Sequence, residues 1–204
     1  MSKLSRPTHK NLSTRAVAIS IIGVLSVMLV IYTVVNAMFV TIPINGSSML
    51  NTIQDGDRVL LYKLGEYRRG DVIVFISPES QASTNSQKMY LIKRIIALPG
   101  DTIDIVYDQE LDVYVTYVNE IQLDEPYLMT TKDWGSELPR TVVGSDMFFY
   151  MGDNRPESRD SRDGQLGSLD KSVILGRAVL RYNIGYSETT GTFDFDVGII
   201  NRVK

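Results

Sequence analysis

The 204 residues carry 21 Lys and Arg against 24 Asp and Glu, with no cysteine and one histidine. The lack of cysteine excludes disulfides, thiolate metal sites and cysteine nucleophiles. With His9 alone, in a basic N-terminal stretch, neither a His-based triad nor a histidine-ligated zinc site can form in the rest of the chain. Lys3, Arg6, Lys10 and Arg15 all precede the first acidic residue, Asp55, so the remainder of the chain is more acidic than the net charge of −3 conveys. Such a domain lacks the clustered cations that nucleic acid requires, and no metal or cofactor is expected.

The chain opens with a basic tail, 1–15, and then runs apolar and uncharged from Ala16 to Val40. At about 1.5 Å per residue such a helix spans more than the hydrocarbon core of a bilayer, roughly 30 Å. The four preceding cations favour a cytoplasmic N-terminus. Residues 41–204 then form an extracytoplasmic domain on a single-pass anchor in the cell membrane. A cleaved secretory signal is the alternative, with Val35-Asn36-Ala37 as small residues at a cleavage site, although the apolar run is longer than the usual h-region of about 7–15 residues.

Beyond the anchor the apolar residues alternate with period two. Arg58–Lys63, Asp71–Ile76, Met89–Ala97, Asp112–Val118 and Met147–Met151 read as strands, and Ser172–Tyr182 as a final one. Asp55-Gly56-Asp57, Arg69-Gly70-Asp71, Pro99-Gly100-Asp101 and Gly152-Asp153-Asn154 supply turns, while Ser77–Gln87 reads as a flexible loop. The expected fold is mainly β: one N-terminal transmembrane helix, then a barrel-like antiparallel β catalytic domain with a β-hairpin insertion over about 102–146.

Three constellations carry chemistry. Ile44–Thr52 offers the hydroxyls of Ser47 and Ser48 beside Gly46; its plain reading is a turn leading out of the bilayer. Lys93 shares a strand face with Leu91, Ile95 and Ala97, where burial lowers an amine's pKa; its plain reading is a lysine snorkelling at a strand edge. Arg94 faces the other way, with Tyr90, Ile92 and Ile96. Gly152–Gly164 gathers Asp153, Arg155, Arg159, Asp160 and Arg162 with Ser158 and Ser161; its plain reading is a surface loop held by ion pairs.

Together these segments resemble the type I signal peptidases, membrane-bound serine proteases of the Ser/Lys class. The matching blocks are Gly46-Ser-Ser-Met-Leu-Asn-Thr52, Asp55–Lys63, Arg69–Phe75, Lys93-Arg-Ile-Ile-Ala-Leu-Pro-Gly-Asp101, and Gly152-Asp-Asn-Arg155 with Ser158, Asp160-Ser-Arg162 and Gly164. Leu123-Asp-Glu-Pro-Tyr127 matches as well. The blocks keep the family order, and the short single-anchor chain is similar to the Gram-positive form. The resemblance implies Ser48 as nucleophile, Lys93 as general base, Ser158 as the hydroxyl orienting the lysine, and Asp160 with Arg162 as a supporting ion pair. Gly46, Met49, Asp153 and Asn154 complete the supporting positions. Two departures stand out: Asn51 where many members have proline, and Gly46 where some carry a serine that helps the oxyanion hole.

The resemblance also implies the substrates: exported preproteins with small residues at −1 and −3, cut at the membrane, with lipid and the secretion translocon as further partners. Ile42, Pro43, Ile44 and Met49 are expected to form an apolar underside resting on lipid. Two other readings remain: a catalytically silent membrane-tethered assembly factor or chaperone, as in pilus assembly, and a Ser/Lys self-cleaving regulator, against which the anchor counts.

Overall fold

The computed structural model describes residues 13–77, 89–128, 137–164, 166–187 and 192–202. The basic tail with His9 and nearly all of the Ser77–Gln87 loop lie outside them. The chain divides into two units, Met1–Met38 and Phe39–Lys204. In the first, helix α1 (Thr14–Met38) is long and apolar enough to cross a membrane. It stops short of the apolar run's end because Phe39–Pro43 pairs as strand β1 with β2 (Arg58–Tyr62), Phe39 opposite Tyr62 and Pro43 opposite Arg58.

The second unit is antiparallel β. Its larger sheet adds β3 (Val72–Ile76), β4 (Tyr90–Ala97), β9 (Met147–Met151), β10 (Leu169–Asp170), β11 (Ile174–Ser187) and β12 (Thr192–Ile199). The order is β1-β2-β11-β3-β4-β9-β10, with β12 also on β11. Register shifts interrupt β11 and β4, at Ile174/Gly176, Ala178/Leu180 and Ile95/Ala97, and such bulges bend and twist a sheet. A smaller sheet, β7-β6-β5-β8, holds β5 (Thr102–Asp108), β6 (Val113–Val118), β7 (Ile121–Gln122) and β8 (Leu138–Val142).

The mainly β architecture with one apolar helix is as expected, and the five strands read from Arg58 to Met151 lie within a residue of their observed ends. Two features differ. The last strand runs on to Ser187 and folds back as β12, a strand not expected from the sequence. Phe193, Phe195, Val197 and Ile199 stand on one face of β12, 60–75% exposed, with Asp194 and Asp196 between them. The expected apolar underside does not form either. Ile42, Ile44 and Met49 are buried with Ile53, Val59, Leu61 and Val72 in one core cluster, and only Pro43 of that set is exposed. The pairing of β1 with β2 turns Ile42 inward opposite Val59.

Candidate active site

Ser48 sits in the segment linking β1 to β2. Ile44 N–H donates to the Asp57 carbonyl and Gly56 N–H returns to Ile44, closing the segment at its base. Gly46, at φ +112°, donates its N–H to Asp55 Oδ1 at 2.7 Å. A helical turn comes next, with Leu50 N–H on Ser47 O and Ile53 N–H on Met49 O. Buried Met49 and Ile53 anchor this turn in the core, so Ser48 projects from a fixed base. Asn51 has φ +35°, a left-handed value that asparagine tolerates and proline cannot adopt. The departure at this position therefore matches the local backbone.

Lys93 reaches the same point from the middle of β4. Its Nζ lies 2.6 Å from Ser48 Oγ. The lysine is 3% exposed, and the strand is buried on both faces from Ile92 to Ala97. Burial lowers its pKa from 10.5 to about 8; Asp160 and Asp153 oppose that fall, and Arg162 adds to it.

The third contribution comes from the segment after β9. Asp160 accepts the Gly152 N–H and a fork from Arg162, through Nε at 2.8 Å and Nη2 at 2.9 Å. Arg162 also donates to the carbonyls of Arg155 and Ser158. Asp160 and Arg162 thus form an ion pair that ties both ends of the loop together. Gly152 is required by contact: a Cβ there would overlap the Ser48 carbonyl and Ser158 Oγ. The Ser158 hydroxyl is brought against Gly152 rather than onto the lysine. Its Oγ is buried and has no hydrogen-bond partner among the described residues, while Nζ contacts Ser48. Asn154 is held to the Ser48 segment, with N–H on Ser48 O and Nδ2 on Ser47 O, each at 3.0 Å.

One residue in this set escapes the sequence pattern. Alternation assigns Arg94 to the face away from Lys93, but it is as buried as its neighbour. It forks onto Asp153 at 2.8 and 2.6 Å, donates to the Gly70 carbonyl, and lies 4.0 Å from the centre of the Tyr127 ring. Thr52 donates its hydroxyl to the same aspartate. Glu125 pairs with buried Arg155 and accepts the Tyr127 hydroxyl. The Glu125–Tyr127 segment therefore braces the Gly152–Gly164 loop from the side of the smaller sheet. The signal available in sequence is two adjacent cations on an otherwise apolar strand. Arg159 instead pairs with Asp163 at the surface.

The signal peptidase family, peptidase S26, matches residues 16–183. Signal peptidase I U of Bacillus subtilis (strain 168) is 32% identical over 178 residues, 82% of this chain and 88% of the relative. Signal peptidase I of Bacillus licheniformis is 32% identical over 145 residues, 65% and 70% of the two chains. A crystallised signal peptidase I from Enterococcus faecalis V583 is 26% identical and covers 56% of this chain and 97% of its own, with a TM-score of 0.44. By class, the protein is a membrane-anchored peptidase. It belongs to the signal peptidase family, peptidase S26. These relatives do not favour the silent assembly-factor reading.

Proposed function

We propose that this peptidase removes signal peptides from exported preproteins by Ser48–Lys93 catalysis. The observation that carries the reading is the 2.6 Å contact between a serine hydroxyl and a buried amine. A lysine with an ordinary pKa near 10.4 is neutral in less than about one part in a thousand at pH 7. With its pKa lowered to about 8, roughly a tenth of Lys93 is neutral there, enough to act as a base. Ser48 Oγ attacks the scissile carbonyl as Nζ takes its proton. The Ser48 N–H, which donates to no other described group, stabilises the oxyanion. The ammonium then protonates the departing amine, and water activated by the neutral lysine releases the acyl chain.

The same chemistry has a place and a substrate class. The cations before α1 favour an N-terminus inside the cell and a catalytic unit outside. Ser48 comes about ten residues after α1, which suits substrates that are themselves tethered by an apolar segment. Small residues at −1 and −3 fit an extended peptide whose alternate side chains enter shallow pockets.

In detergent, Ser48→Ala and Lys93→Ala should each abolish preprotein cleavage without unfolding the protein. In the native enzyme kcat/KM should rise with pH and level off above a midpoint of about 8, because the neutral amine is the active form. Full activity in either variant, or a flat profile between pH 6 and 9, would exclude the dyad.

A further inference from the structure

We infer that Asn154 is the positioning residue of the oxyanion donor, holding the Ser48 N–H in line for the charge that develops on the scissile carbonyl. The inference rests on the Ser48–Lys93 reading and extends it. The Ser47 carbonyl and the Ser48 N–H belong to one planar trans peptide unit, so fixing the oxygen fixes the direction in which the hydrogen points. Asn154 Nδ2 donates to that oxygen at 3.0 Å. A carbonyl accepts only a donor, so the amide nitrogen and not its oxygen must face Ser47. The Leu50 N–H, at 3.1 Å, takes the same carbonyl from within the turn.

The next peptide is fixed by the same residue, whose own N–H donates to Ser48 O at 3.0 Å. Asn154 thus grips the peptide groups on both sides of the nucleophile's Cα. Its side chain is itself immobilised, 3% exposed between Asp153, locked by Arg94, and buried Arg155. Preorganised donors of this kind stabilise a transition state because they need no reorganisation when charge appears. The demand on one N–H is unusually high here, since Gly46 has no hydroxyl with which to assist it.

The test compares the full-length enzyme in detergent with Asn154→Ala, using a preprotein substrate and a peptidyl boronate. The boronate bonds Ser48 Oγ and places an oxygen where the oxyanion forms. Deleting an oxyanion donor outright costs about 10²–10³ in kcat, so misaligning one should lower kcat by about 10–100-fold. KM should stay within about twofold, the boronate should weaken by the same factor as kcat/KM, and the pH midpoint should remain near 8, because Asp160, Asp153 and Arg162 set it together with burial. If Asn154→Ala does not fold, Asn154→Asp keeps the size and removes the donor, and the same loss is expected on its high-pH plateau. A kcat within twofold of the native enzyme, a loss carried by KM, or an unchanged boronate affinity would overturn the inference while leaving the dyad standing. Cleavage surviving in Ser48→Ala, run alongside, would overturn both.

Discussion

At the scale of single residues, Lys93 works against the stability of the fold that holds it. Below pH 8 it is protonated in both folded and unfolded chains, and the folded state carries the cost of a buried ammonium. Between about 8 and 10.5 the unfolded chain still binds the proton that the folded one has released, so stability rises with pH across that window. Lys93→Met removes the cost while keeping the volume. Urea unfolding at pH 7 should show the variant more stable by up to about 3 kcal/mol, the free-energy equivalent of the lowered pKa. That advantage should shrink as the pH rises above 8; an equal or less stable variant at pH 7 would mean that the amine is not desolvated. Ser48 and Lys93 were singled out only through the resemblance that three segments carry together, since alone they read as a turn and a snorkelling lysine; the structure brings the two side chains into contact. Arg94 was not. The alternation rule gave its direction, but burial on both faces of β4 depends on β9 and on the Tyr127 segment, which no local pattern in 90–97 reports.

At the scale of elements, β4 is a hub with a cation on each face. Lys93 addresses Ser48, and Arg94 addresses the loop that carries Asp153 and Asn154. The two halves meet where Thr52, four residues beyond Ser48, shares Asp153 with Arg94. Breaking one side of a buried pair leaves an uncompensated charge. Arg94→Met should therefore destabilise the protein by about 3–5 kcal/mol, and adding Asp153→Asn should restore much of it. A double-mutant cycle by chemical denaturation measures this, and additive single effects would show that the pair is not coupled. Most strands were legible from period-two alternation. β12 carries the same period-two signal, since Phe193, Phe195, Val197 and Ile199 alternate with Asp194 and Asp196, yet it was not read as a strand. Ile42, Ile44 and Met49 failed for a different reason. Nearness to the anchor in sequence suggested contact with lipid, whereas pairing of β1 with β2 sent them into the core.

At the scale of the molecule, the two units answer to different solvents. The helix presents apolar side chains along its whole length and buries none, while the β unit closes its core around three clusters and threads buried ion pairs among them. The β11–β12 hairpin breaks this division. Its outward aromatic and aliphatic row belongs to the β unit, so cutting away residues 1–38 would leave a protein still averse to plain buffer. Such a fragment should sediment as a concentration-dependent oligomer without surfactant. Phe193→Ser with Phe195→Ser should return it to one sedimenting species of monomer mass, and a fragment already monodisperse at millimolar strength would show that the row is harmless. Handling this enzyme outside the cell thus depends on a ribbon near its carboxyl end as much as on the greasy rod at its start.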